Sequence, residues 1–152
     1  MKKKISYINI VVFLLFFIDQ ISKFFVVKHL DASGVVIIEN LLDFVYVKNI
    51  GAAFGIFSGN TYLLIIITFL LIGYIVFELY KNMNNNFSIL SFSLILSGAL
   101  GNLFDRVFRG YVVDFISFTI FGREMAVFNI ADIYITFGVF LLALIIIKEG
   151  KK

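Results

Sequence analysis

Two aspartates in apolar surroundings are the strongest candidates for chemistry in this sequence. Asp114 interrupts the apolar run from Val112 to Ile116, and Asp132 lies at the start of a long apolar segment with no cation within a helical turn. A carboxylate in such surroundings needs a partner or stays protonated. If two such carboxylates lie close together at the same depth in the membrane, they would form an acid–base pair. Repulsion between their negative charges separates their pKa values, so one is protonated and the other is a base. Asp132 has a plainer explanation too, since an aspartate stabilises the N-terminal end of a helix dipole.

The elements that must position these residues are membrane-spanning helices. The chain has 152 residues, of which 61% are hydrophobic and 15% charged, whereas soluble domains are about 45–50% apolar. A helix needs about 20 mostly apolar residues to cross a hydrocarbon core about 30 Å thick. Four segments come close to that length: Ile5 to Val27, Tyr62 to Leu79, Phe87 to Leu103 and Phe128 to Ile147. We expect an all-α polytopic membrane protein with a single domain over residues 1–152.

Composition also excludes several kinds of site. The chain has no cysteine and a single histidine, so we expect no disulfide, no cysteine nucleophile and no metal site. His29 is expected to be an ordinary solvated residue. The net charge of +3 comes from lysines near the termini rather than from a basic stripe interleaved with aromatic residues. We therefore expect no nucleic-acid partner.

The lysine distribution predicts the orientation of the spans. Ala32-Ser33-Gly34 loosely resembles a signal-cleavage site, but it lies well beyond the end of the first apolar run, so this segment is predicted to be retained. Four spans place both termini on one side. That side carries more basic residues than the other, and the positive-inside rule assigns it to the cytoplasm. Its lysines are Lys2, Lys3, Lys4, Lys81, Lys148, Lys151 and Lys152.

The two longer connections are predicted to lie on the outer side. In the first, Val35 to Ile38 and Leu41 to Val47 are rich in β-branched and aromatic residues, which favours short strands. Gly51 and Gly55 indicate a bend before the second span. We expect a small extracytoplasmic antiparallel sheet resting on the bilayer.

Polar residues from the spans are predicted to gather near that outer surface. Asp19 lies about 21 Å along the first helix. Asn102 lies at the outer end of the third helix, and Asp132 lies about one turn into the fourth. Asn49 precedes the turn that enters the second helix. Ionisable groups at membrane depth are costly, so their convergence at one level suggests a function.

Some of these residues also have purely structural explanations. Asp19 and Lys23 are four residues apart and can form an ion pair, with the lysine reaching outward to the surface. Asp105 and Arg106 can form an interfacial charge pair. Gly98 and Gly101 can allow neighbouring helices to pack closely, because they have no side chain.

Taken together, these blocks resemble the bacterial lipoprotein signal peptidases, or type II signal peptidases. The resemblance covers nearly the whole chain and is carried by Asp19–Lys23, Asn49–Gly55, Gly98–Arg106, Gly110–Phe115 and Phe128–Asp132. Each block alone is weak, but five blocks in the right order are specific. The main departure lies inside the second block, at position 50, where an isoleucine replaces the expected polar residue.

The resemblance implies an aspartic endopeptidase with Asp114 and Asp132 as the catalytic pair. It implies cleavage of prolipoproteins before their diacylglyceryl-modified cysteine, without metal or cofactor, by a monomer in contact with lipid in the bacterial cytoplasmic membrane. The active site would lie near the outer face. Supporting polar roles would fall on Asp19, Lys23, Asn49, Gly51, Asn102, Arg106 and Asn129.

Two other classes of function are weighed against this one. A proton-coupled transporter also places carboxylates in its spans, but its site is expected near the midplane and within broken helices or repeats. Neither pattern is visible in the sequence. An assembly factor could use the outer sheet as a docking edge, but it has no need for two aspartates at one level.

Overall fold

A computed structural model of the chain describes residues 2–31, 33–52 and 56–150. Along the described backbone, one helix is followed by two strands, two helices, two strands and a last helix. The bend expected at Gly55 lies outside the described residues. So do Ala32 of the small-residue motif and the terminal lysines Lys151 and Lys152.

Four long helices form the body of the protein: α1 (Lys2–His29), α2 (Thr61–Lys81), α3 (Asn86–Arg109) and α4 (Ile130–Glu149). All four are long and apolar enough to cross a membrane. The four predicted spans are therefore confirmed. At 1.5 Å per residue, α1 is about 42 Å long and extends beyond a hydrocarbon core of about 30 Å.

Helix α3 is the central helix. Within the apolar 18-residue stretch that qualifies each helix as a membrane span, 61% of the residues of α3 are buried. The corresponding fractions are 17% in α1, 17% in α2 and 11% in α4. It also runs past the predicted end at Leu103 to Arg109, because the charged residues of its last two turns have partners. It ends at Gly110, whose φ of 81° is the left-handed conformation that favours glycine.

Small residues bring the neighbouring helices close to α3. A Cβ atom at Gly98 would collide with the carbonyl group of Ala131 in α4, and one at Gly101 would collide with the carboxylate of Asp19 in α1. The packing explanation for these two glycines is confirmed. Because no larger residue fits, both positions bring polar groups of α1 and α4 against the C-terminal half of α3.

The extramembrane sheet consists of β1 (Val35–Ile38), β2 (Leu42–Asn49), β3 (Val112–Ile120) and the two-residue β4 (Arg123–Glu124). The strands are antiparallel and follow the order β1-β2-β3-β4. The first two were predicted, apart from small shifts in the bounds of β2. The third was not, because its apolar run was interpreted only through the aspartate that interrupts it.

Strand β3 brings separate segments of the chain to Asp114. On one edge it pairs with β2, so that Val47 lies opposite Asp114. On the other edge the backbone N–H of Ile116 donates to the carbonyl of Phe128 at 2.8 Å, and the N–H of Phe128 donates to the carbonyl of Ile116 at 3.0 Å. The start of α4 is thereby fixed beside β3.

Candidate active site

Strand alternation directs Asp114 into a cavity. Its neighbours Val113 and Phe115 are buried in a cluster with Val26 of α1. Val112 and Asp114 line the cavity on the other side of the strand, because successive side chains of a strand face opposite directions. Asp114 is only 3% exposed.

Asp132 lies in the first turn of α4 and forms a capping box with Asn129. The backbone N–H of Asp132 donates to Oδ1 of Asn129 at 3.0 Å, and the backbone N–H of Asn129 donates to Oδ2 of Asp132 at 3.1 Å. These bonds satisfy amides that the helix leaves unpaired. Asp132 also lines the same cavity as Asp114. Its helix-capping role therefore does not remove it from the site.

The fully buried Asn129 connects the two carboxylates. Its Nδ2 donates to Oδ1 of Asp114 at 2.6 Å and to Oδ1 of Asn102 at 3.2 Å. Nδ2 of Asn102 in turn donates to Oδ1 of Asp132 at 2.8 Å. Two side-chain amides thus hold Asp114 and Asp132 in one hydrogen-bonded group.

The end of β2 supplies a second contact to Asp114. Nδ2 of Asn49 donates to Oδ2 of Asp114 at 2.8 Å, while its Oδ1 accepts from the backbone N–H of Gly51 at 2.9 Å. Nη2 of Arg106 donates to the carbonyl of Gly51 at 3.0 Å. Arg106 and Gly51 therefore orient Asn49. Ile50 replaces the polar residue that the resemblance led us to expect at this position. Its side chain is 49% exposed and has no polar group to contribute.

Burial, assisted by the negative charge of Asp132, raises the pKa of Asp114 to about 6. Hydrogen bonds from Asn49 and Asn129 favour the ionised form and partly offset this rise. A carboxyl group with a pKa close to neutral can both gain and lose a proton under ordinary conditions, which is what general acid–base catalysis requires.

A cavity of about 790 Å³ lies between α2, α3, α4 and the sheet. The end near the sheet carries the charged and amide groups, and most of the remaining lining is apolar, so the cavity can accept a chain that is partly polar and partly lipid-like. The groups at the polar end are Asn49, Asn102, Arg106, Asp114 and Asp132. The walls along the helices include Leu71, Ile75, Phe92, Ile95 and Leu142, with hydroxyl groups from Thr68, Tyr74 and Thr136.

Beside the carboxylate pair lies a buried ion network centred on Lys23. Its Nζ is 3.0 Å from Oδ2 of Asp19, 3.1 Å from Oδ2 of Asp105 and 3.0 Å from Oδ1 of Asn102. Arg109 contacts the other oxygen of Asp105. Two carboxylates are thus balanced by two cations, as buried charges require.

The network ties the elements of the site together through backbone groups. Oδ1 of Asp19 accepts from the N–H of Ala131 in α4 at 3.0 Å, and Oδ2 of Asp105 accepts from the N–H of Val113 in β3 at 3.1 Å. Residues of α1 and α3 thereby fix the backbone next to both Asp132 and Asp114.

Two expectations about the charged residues are wrong. Lys23 pairs with Asp19 as predicted, but it does not reach the surface. Both side chains are fully buried, because other acceptors complete the hydrogen bonds of the ammonium group. Asp105 does not pair with Arg106 but with Lys23 and Arg109. Arg106 instead lines the cavity.

Gln20, Asp105 and Arg109 support the site but were not predicted to do so. Nε2 of Gln20 lies 3.1 Å from Oδ2 of Asp19 and 3.2 Å from Oδ1 of Asp105. The i,i+4 spacing of Asp105 and Arg109 was a usable signal, since it repeats the spacing of Asp19 and Lys23. By contrast, all nine predicted residues lie in this one network: Asp19, Lys23, Asn49, Gly51, Asn102, Arg106, Asp114, Asn129 and Asp132.

The fold and the site define a multi-pass membrane protein with paired carboxylates at the end of an apolar cavity. Comparison with known proteins identifies the family. The model of the family described as signal peptidase (SPase) II matches residues 11–148. The lipoprotein signal peptidase of Caldicellulosiruptor bescii is 41% identical over 143 residues, covering 94% of this chain and 92% of that protein. That of Clostridium novyi is 42% identical over 139 residues, covering 88% and 93%.

A solved structure supports the same conclusion. A bacterial membrane enzyme determined by the in meso method at 2.3 Å resolution matches with a TM-score of 0.89 and 34% identity, covering 96% of this chain and 90% of that one. The chain belongs to the signal peptidase II family. It is a membrane peptidase that removes signal peptides from prolipoproteins. The transporter and assembly-factor interpretations are set aside by this membership.

Removing one partner of the buried Asp19–Lys23 pair should harm the protein more than removing both. Lys23→Met leaves an uncompensated buried carboxylate, which we expect to lower the free energy of unfolding by about 3–5 kcal/mol. The double variant Asp19→Asn/Lys23→Met keeps the charge balanced and should lose clearly less. Thermal unfolding in detergent measures both effects. A double variant as unstable as the single one would contradict the pairing.

Proposed function

We propose that the chain is an aspartic endopeptidase in which Asp114 and Asp132 are the catalytic residues. The observation that carries the proposal is that both carboxylates line one cavity and are joined through Asn129 and Asn102. The raised pKa of Asp114, about 6, adds support. A pair with one protonated and one ionised member can act as acid and base in the same step.

In the proposed mechanism the ionised carboxylate takes a proton from a water molecule as its oxygen attacks the scissile carbonyl carbon. The protonated carboxyl donates its proton to the carbonyl oxygen. The tetrahedral species then collapses as the leaving nitrogen receives a proton and the peptide bond breaks. Each proton is passed between water, the two carboxyls and the products, so no metal ion or cofactor enters the reaction.

The polar groups around the pair are proposed to hold the substrate and the aspartates. Arg106 and Asn49 line the cavity beside Asp114, where they can meet peptide carbonyl groups. Asn102 and Asn129 contact the carboxylates directly and orient them. These polar groups need partners in a low-dielectric site, and a substrate backbone supplies them.

The apolar length of the cavity suits a lipid-anchored substrate. Its walls on α2, α3 and α4 match both the helical signal segment and the acyl chains of a diacylglyceryl group. The polar end holds the carboxylates where the signal segment would leave the membrane. We infer that cleavage occurs before the diacylglyceryl-modified cysteine of a prolipoprotein.

The proposed orientation in the membrane is supported by the distribution of lysines. The helix ends around Lys4, Lys81 and Lys148 are proposed to face the cytoplasm. The sheet and the carboxylates then lie at the outer face of the bacterial cytoplasmic membrane. The hydrogen-bonded site joins α1, α3, α4, β2 and β3, which supports a single peptidase domain. We propose that this domain acts as a monomer in contact with lipid.

Replacing either aspartate by asparagine should abolish most cleavage and preserve the fold. Asparagine is nearly isosteric but cannot exchange a proton, so Asp114→Asn and Asp132→Asn should each lower kcat by at least about 10²-fold. The double variant should be hardly worse, because residues that act as one unit fail together. A gel-shift assay on a purified diacylglyceryl-modified precursor measures the loss.

Asp43→Asn is the matched control, since Asp43 lies on β2 but does not line the cavity. It should retain wild-type cleavage. Near-normal cleavage by either folded catalytic variant would refute the pair. Chelators should have no effect, and loss of activity that returns on adding metal would refute the aspartic mechanism.

The orientation can be tested with single cysteines, because the chain has none. Cysteines at the exposed positions Ser33 and Arg123 should react with an impermeant thiol reagent on intact cells, while one at Asn84 should not. All three should react after the membrane is permeabilised. Labelling of intact cells at position 84 alone would invert the topology.

A further inference from the structure

The amide of Asn102 can adopt only one orientation in the site. Its Oδ1 accepts from Nζ of Lys23 at 3.0 Å and from Nδ2 of Asn129 at 3.2 Å, and its Nδ2 donates to Oδ1 of Asp132 at 2.8 Å. A flipped amide would place its NH₂ group against two donors and its oxygen against a carboxylate. The ammonium group of Lys23 therefore dictates that Asp132 faces an N–H donor.

Lys23 can impose that orientation because its ammonium group is itself held in one position. Its ammonium group has three N–H donors, and three acceptors surround it: Asp19, Asp105 and Asn102. The side chain is fully buried, so water does not compete for these bonds. The charge also polarises the Asn102 amide, which strengthens its bond to the next acceptor.

The two carboxylates then differ in which protonation state their surroundings favour. Asp132 receives the Asn102 amide and a backbone N–H at the N-terminal end of α4, and a helix N-terminus favours a negative charge. Asp114 also receives two donors, but both are side-chain amides, those of Asn49 and Asn129, and neither belongs to a helix N-terminus. Burial and the charge of Asp132 raise the pKa of Asp114 to about 6, although the charge of Lys23 acts in the opposite direction. Asp114 is therefore protonated more readily than an ordinary carboxyl group.

The other charged groups near the pair belong to α1 and α3. Helix α3 contributes Arg106, which lines the same cavity as the two aspartates and whose positive charge favours both ionised forms. The remaining charges, Asp19, Asp105 and Arg109, belong to the network around Lys23. Lys23 is the one member of that network that donates to a residue in direct contact with Asp132.

We infer that Lys23 is a positioning residue which, through Asn102, keeps Asp132 as the ionised, proton-accepting member of the pair and leaves Asp114 as the proton donor. The inference rests on the proposed function. Asp132 takes one proton from the attacking water, whose oxygen bonds to the carbonyl carbon. Asp114 gives its proton to the carbonyl oxygen. The two carboxyls have then exchanged protonation states, and the charge of the pair is unchanged.

The pH dependence of kcat tests the inference with a variant that keeps the charge balanced. Asp19→Asn/Lys23→Met removes the ammonium group while Arg109 still neutralises Asp105. The ionised form of Asp132 then loses the support of the oriented Asn102 N–H. We expect the acidic limb of the kcat profile to move up by about one pH unit, and kcat to fall about 10–100-fold with little change in KM.

Asn102→Asp provides a second variant that retains an acceptor for Lys23. It replaces the N–H that faces Asp132 with a carboxyl oxygen, so the acidic limb should again move upward. The matched control is Asp105→Asn/Arg109→Gln, which removes the other ion pair of the network and leaves Lys23, Asn102 and Asp132 in place. It should lower thermal stability without moving the limb.

The outcomes separate this inference from the proposed function. An unchanged acidic limb in a folded Asp19→Asn/Lys23→Met or Asn102→Asp variant would overturn the inference. So would an equal shift in the Asp105/Arg109 control, because the effect would then be general to the network. Neither result bears on the assignment of Asp114 and Asp132 as the catalytic pair. That assignment is refuted only if an asparagine variant of Asp114 or Asp132 remains active.

Discussion

The buried side chain of Asn129 makes the contact on which the rest of the site depends. It caps α4 through Oδ1, contacts Asp114 through Nδ2 and meets Asn102 through the same nitrogen. Because the helix cap fixes the amide, its donor side must face the carboxylate of β3. The end of a membrane helix and a strand of the outer sheet are thereby held in one geometry.

The packing of the helices makes that contact possible. Gly98 and Gly101 allow α4 and α1 to approach the C-terminal half of α3, where a larger side chain would collide with Ala131 or Asp19. The polar groups brought together there must be satisfied, since unpaired polar groups at membrane depth are costly. Lys23 and its partners meet that requirement, so the charges that stabilise this end of the bundle also hold the backbone beside the aspartates.

The four helices could be predicted because each depends on a local property, namely a long apolar run. The first two strands followed from their β-branched residues, whereas β3 was missed because Asp114 interrupts its pattern. The burial of Lys23 could not be predicted from nearby residues, since its other acceptors, Asp105 and Asn102, lie far along the chain. The depth of Asp132 could be estimated from its place in the fourth helix. The position of Asp114 and the amide link through Asn129 could not, because both depend on strand pairing that composition does not reveal.

Asp114 and Asp132 are proposed to act together on one scissile bond. The most direct measurement is a structure of the protein with a lipidated peptide that carries a hydroxyl-bearing isostere in place of that bond. The hydroxyl group should lie within about 3.2 Å of a carboxyl oxygen of each aspartate, with the lipid along the apolar wall of the cavity. An isostere bound against only one aspartate, or outside the cavity, would contradict the claim.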